Sequence, residues 1–115
     1  MESTTISIVN TIGDVYGVEA EDGQKVFNLV KRAFDNGYKV VLSFLNIEML
    51  TTAFLNTAVG QLYKDYPEDL IKKYLSVRDI SGSGKVSLKR VVDTAKIYYK
   101  DPGALERSIN DILED

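Results

Sequence analysis

The sequence contains no histidine, no cysteine and no tryptophan, and only two prolines. Without imidazole or thiol there is no Ser-His-Asp or Cys-His nucleophile, no imidazole general base, no thiolate or imidazole metal site and no disulfide. Any chemistry would fall to carboxylates, lysine, tyrosine or hydroxyls. A cysteine-free chain suits a reducing compartment. Long hydrophobic runs are also missing: none approaches the roughly eighteen residues of a spanning helix. The polar start Glu2-Ser3-Thr4-Thr5 lacks the basic and apolar regions of a secretory signal. A cytoplasmic location and no membrane partner are therefore expected. Charge of one sign is scarce too. The 14 basic and 17 acidic residues leave a net charge of −3, which gives no general attraction toward nucleic acid or anionic lipid.

What is present fits one α/β domain over residues 1–115, because 44% hydrophobic residues in a chain of 115 can close one core and not two. In residues 5–9, Ile6 and Ile8 alternate with polar neighbours, the period-two pattern of a half-buried strand. Residues 10–17 are turn-rich, with room for a short hairpin partner strand. From Asp22 to Asn36, Val26, Leu29, Val30, Ala33 and Phe34 recur at helical spacing. Acidic Glu19, Glu21 and Asp22 suit that helix's start, and Gly37 its end. The nearly continuous apolar run from Tyr38 to Phe44 predicts a central strand of a parallel sheet, covered on both faces. Helical spacing returns from Ala53 to Tyr63, with Thr51 or Thr52 as N-cap. Residues 74–80 alternate as a third main strand, so the middle reads β-α-β with a right-handed crossover. Ser81-Gly82-Ser83-Gly84 reads as a mobile loop. Leu88 to Tyr98 reads as a further amphipathic helix, and Asp101-Pro102 as the start of a last one carrying Leu105, Ile109 and Ile112.

Several motifs fail on named residues. Ser81-Gly82-Ser83-Gly84-Lys85 echoes the end of a phosphate-binding loop, but Asp79 stands where Gly is needed and Val86 where Ser or Thr is needed. The same segment echoes a calcium loop opened by Asp79, yet its third and fifth positions are serines, and Arg90 replaces the closing Glu. No metal site or cofactor is expected. Lys85, Lys89, Arg90, Lys96 and Lys100 read as a solvated helix face and not as a nucleic-acid surface. The carboxylate pairs Glu21-Asp22, Glu68-Asp69 and Glu114-Asp115 fall in caps and tails, where nothing separates two pKa values for acid-base work. The chain is therefore read as no enzyme. What remains is Leu50-Thr51-Thr52-Ala53-Phe54, where helix capping accounts for one threonine.

The run from Val40 through Ser43, Phe44, Leu50, Thr51, Thr52, Ala53 and Phe54 to Asn56 resembles the core signature of STAS domains, the fold of bacterial anti-sigma factor antagonists. It looks closest to the STAS-like branch of small bacterial proteins, over residues 20 to 100 by order of elements. The resemblance implies an α/β fold, a mostly parallel central sheet of about four strands flanked by about four helices. In the antagonists a histidine-kinase-like ATPase phosphorylates a serine at the start of the second helix. By position that implies Thr52 as phosphoacceptor, with Thr51 at the preceding Asp position as the second candidate. Ser43 stands at the strand end where the family carries an acidic residue. Bulky Phe54 replaces a small glycine and reads as a core anchor.

Three functions stay open. The first is a regulatory module that docks a protein partner, an ATPase of that kind, through Leu50, Thr51, Thr52, Ala53, Leu55 and Asn56, switched by phosphorylation. The second is a small-ligand or nucleotide-binding domain using the Ser81 to Lys85 loop. The third is a structural dimerisation subunit; the sequence does not specify the oligomeric state.

Overall fold

A computed structural model describes residues 2–100. The predicted last helix, with Leu105, Ile109 and Ile112, and the Glu114-Asp115 pair lie outside the described residues. In chain order the elements are β1 (Ser3–Ser7), α1 (Ile8–Ile12), β2 (Tyr16–Gly17), α2 (Ala20–Asp35), β3 (Lys39–Ser43) and β4 (Met49–Leu50). There follow α3 (Thr52–Leu55), a π-helical turn (Asn56–Gly60), α4 (Leu62–Asp65), α5 (Glu68–Tyr74), β5 (Leu75–Arg78) and α6 (Gly82–Lys100). The main sheet has three strands in the order β1-β3-β5, all parallel, and β2 pairs with β4 in a second, two-stranded parallel sheet. Among the described residues no helix is long and apolar enough to cross a membrane.

The strand order advances in one direction, so two right-handed crossovers place their helices on the same side. Register puts Thr4 and Ile6 of β1 beside Val40 and Leu42 of β3, and these beside Leu75 and Val77 of β5. That face carries the core. Leu29 and Ala33 of α2 lie over β1, while Val59, Ile71, Leu88 and Val92 lie over β5. Alternation sends Ser3, Thr5, Ser7, Lys39, Val41, Ser43, Ser76 and Arg78 to the opposite face. Of these only Ser43 is buried; Ser7 and Val41 are half-buried and the rest exposed. β3 is central, as its apolar run predicts, but among the described residues the sheet is covered on one face and not on both. The uncovered face is polar apart from Val41.

Local chemistry explains where other elements depart from expectation. The first strand ends at Ser7 because the Ser7 hydroxyl accepts the Asn10 amide at 3.2 Å and caps α1. Ile8 is still fully buried, now from a helix. The turn-rich segment that follows yields no hairpin: β2 crosses to pair with β4 in parallel. Ser81-Gly82-Ser83-Gly84 is not a loop but the capped first turn of α6. Ser81 Oγ accepts the Gly84 amide at 3.0 Å, and Ser81 O accepts the Lys85 amide at 2.9 Å.

A π turn, Asn56–Gly60, interrupts the helix after Thr51. Phe54, Ala58 and Leu62 are buried at intervals of four, as are Leu55 and Val59, and all five belong to the core.

Further along, Tyr66 joins α4 to α2. Its hydroxyl donates to Asp35 Oδ1 at 2.7 Å, and its ring meets Phe34 edge-on at 5.2 Å. Burial, and then the hydrogen bond to the Asp35 carboxylate, push this phenol well above its usual 10.0. The native state therefore holds the proton more tightly than the unfolded chain does. The linked stability is present below about pH 10 and is lost as pH rises beyond it. A Tyr66→Phe variant has no phenol to ionise, so its urea midpoint should fall less between about pH 9 and 11 than that of the parent.

Candidate functional site

In a parallel sheet the loops at the carboxyl ends of the strands gather on one edge, where open α/β folds place their sites. Here β3 runs into a tight turn in which Asn46 adopts φ 68° and the Ile47 amide donates to Phe44 O at 3.0 Å. Buried Ser43, just before the turn, accepts the Leu45 amide on its hydroxyl at 3.3 Å. The chain then attaches to the β2 segment: Glu48 N–H donates to Val15 O at 2.7 Å and Thr51 N–H to Gly17 O at 3.0 Å. These two bonds fix the start of α3.

Thr51 is the N-cap, and its hydroxyl is used twice. It accepts the Phe54 amide at 3.2 Å and donates to Val18 O at 2.6 Å, tying α3 to the segment before α2. Thr52 is exposed in the first helical position, and Ala53 and Asn56 are exposed beside it. The two candidate phosphoacceptors are thus unequal: Thr51 is structural, and Thr52 is presented to solvent. Thr51→Ala is expected to destabilise the fold by about 1–2 kcal/mol. Thr52→Ala should stay within about 0.5 kcal/mol of the parent. Urea denaturation of the two variants side by side checks the difference.

The other proposed contact residues divide as well. Leu55 is fully buried and belongs to the core cluster with Phe54 and Val59, so it offers nothing to a partner. Leu50 is half-buried between two glycines. A methyl group on Gly17 would lie 2.9 Å from Leu50 Cδ2, and one on Gly84 would lie 3.1 Å from Leu50 Cδ1. Gly84, which reads from sequence as a flexible-loop residue, is therefore buried to make room for Leu50 and Ile80. Phe54 is fully buried, as its reading as a core anchor requires.

Leu50 brings together two segments that sequence treats as rival sites. A cleft of about 190 Å³ opens between the β3–β4 turn and the start of α6. Phe44, Ile47 and Leu50 line it together with Ser81, Ser83 and Ser87, and Glu48 adds a carboxylate. Sequence reading missed three neighbours of this region: Leu45, Met49 and Tyr16, which are 56%, 54% and 49% exposed. Tyr16 and Met49 are register partners in the second sheet. The available signal was the apolar pair Leu45 and Met49 just before the Leu50-Thr51-Thr52 segment, but only the unexpected β2–β4 pairing brings Tyr16 alongside. Among the described residues, no group of three or more carboxylates gathers in a way that could hold a metal ion.

Together these features define a class: a small parallel α/β domain that presents a capped helix start and an apolar strip at the carboxyl edge of its sheet. A family model described as the STAS-like domain of unknown function (DUF4325) matches residues 22–85. That span is more than half of the 115 residues, and the chain belongs to this family. The match runs from the first turn of α2 to the first turn of α6 and contains both threonines. Comparison with curated proteins and with solved structures finds no match.

Proposed function

We propose that this domain is a non-catalytic regulatory module, related in its mode of action to anti-sigma factor antagonists, that docks a protein partner through the start of α3. The observation that carries the reading is the exposure of Thr52, Ala53 and Asn56 next to the exposed Tyr16 and Met49 pair. An apolar strip beside a solvent-facing hydroxyl gives a partner both contact area and a point of control. Thr52 would accept the phosphoryl group. A phosphate there adds roughly −1.5 to −2 charges to a surface that otherwise makes neutral contacts, so the partner would be released.

The test is incubation with ATP and a histidine-kinase-like ATPase, followed by mass spectrometry and a binding measurement. Complex formation by the unmodified domain is expected, and Thr52→Glu should weaken it about tenfold or more, which corresponds to roughly 1.4 kcal/mol. Neither a complex nor phospho-Thr52 appearing would sink the proposal. The nucleotide alternative at Ser81 to Lys85 is disfavoured by size. The cleft of about 190 Å³ is smaller than the roughly 300–1,000 Å³ of pockets that enclose such ligands, and Glu48 would face any phosphate placed in it.

A further inference from the structure

One side chain bridges the π turn between α3 and α4. In an α-helix the Gln61 amide would donate to Thr57 O, four residues back. Here it donates to Asn56 O, five residues back, at 3.0 Å. The carbonyl it bypasses is served by the same residue's side chain: Gln61 Nε2 donates to Thr57 O at 2.7 Å. That amide also donates to Gln24 Oε1 at 2.9 Å, and Gln24 Nε2 in turn donates to Asn28 Oδ1 at 2.9 Å. The chain of amides clips the turn to α2. The clip lies beside the place where the two backbones come closest, since Gly23 precedes Gln24 and a methyl group there would lie 2.5 Å from Phe54 O.

We propose that Gln61 is a positioning residue: its side chain holds Asn56–Gly60 in the π register, and that register sets the direction in which Thr52, Ala53 and Asn56 point. Removing one residue of π phase would turn everything before it by about 100° relative to α4 and shift it by about 1.5 Å. Thr52 would leave the side of the domain that carries Met49 and Tyr16. The functional meaning rests on the docking reading above, but the register itself is measurable without a partner.

The experiment compares the parent with Gln61→Leu, which keeps bulk and loses the donor, and Gln61→Lys, which keeps a donor within reach of Thr57 O. Two NMR readouts apply: hydrogen-bond scalar couplings that report which carbonyl the residue 61 amide engages, and amide exchange along the chain. In the parent the coupling should run to Asn56. In Gln61→Leu it should be lost or move to Thr57. Exchange of residues 52–61 should then rise about tenfold or more while the β3 amides change by less than about twofold. Gln61→Lys should restore the parent pattern. A Gln61→Leu domain that keeps the Asn56 coupling, or whose exchange rises uniformly over the whole fold, overturns the proposal. Should that variant not fold, Gln61→Glu, which keeps the shape and replaces the Nε2 donor with a carboxylate oxygen, is judged by the same two readouts. A failure here leaves ATPase binding intact, whereas a failure of the docking reading leaves the coupling pattern intact.

Discussion

Replacing Gly23 with alanine is expected to destabilise the domain by about 2–3 kcal/mol, although the residue sits inside a helix. Helix propensity alone predicts the opposite sign, since alanine is favoured over glycine there by about 1 kcal/mol. The new methyl group would lie 2.5 Å from Phe54 O, 3.0 Å from Thr57 Cβ and 3.2 Å from Ala58 N. Two of these three are backbone atoms, which cannot swing away as a side-chain end can. Helix α2 would have to lift off the π turn, loosening the Gln24–Gln61 clip beside it. Gly82 supplies the control, because nothing lies within 4 Å of a methyl group built there. Gly82→Ala should be neutral or slightly stabilising. Thermal unfolding of both variants decides the matter: a melting point for Gly23→Ala at or above that of the parent would show that the close approach is not as drawn.

Phe54→Ala is the second change with a large expected effect, a loss of about 3–5 kcal/mol. The ring is fully buried, and it lies within 3.3 Å of a methyl group built at Gly17, so the β2 segment packs directly against it. Against a total stability of roughly 5–15 kcal/mol, the variant should be marginal at 37 °C. Phe54→Leu, which keeps most of the volume, should cost under about 2 kcal/mol. Urea midpoints of the two variants check this ordering. The outcome also bears on function, because Thr52 stands two residues before the ring. With Phe54 seated, the first turn of α3 is anchored from beneath. A partner then meets an organised surface.

Much of this was legible in the sequence because the signals were local and periodic. The α2 pattern of Val26, Val30 and Phe34, the apolar run at Val40 to Phe44 and the cap at Thr51 each state one element's own chemistry. The identity of Phe54 as a buried anchor was legible too, from its bulk where the resembled family carries a small glycine and from the helical spacing of the apolar residues around it. The parts that were not legible depend on pairings between distant residues. Nothing local tells that Tyr16 will lie beside Met49, or that Gly84 is buried under Leu50 and is not a loop tip. Leu55 lies close to Thr52 in the chain, but its side chain is buried in the core with Phe54. The π turn is an intermediate case. Gln61 is written in the chain, but its part in the wide turn shows only once its side chain is seen to reach Thr57 O and Gln24.

The face of the sheet that the described residues leave open has a practical consequence. Its small hydroxyl side chains, Ser3, Thr5 and Ser76, are exposed and carry little of the fold's apolar burial. Substitutions there should be tolerated where changes on the helical side are not. The chain also lacks cysteine altogether. A single Thr5→Cys or Ser76→Cys would therefore give a chemically unique attachment point. A dye, spin label or surface linker placed there sits on the far side of the sheet from α2, the π turn and α6, leaving the helix start free while its behaviour is watched.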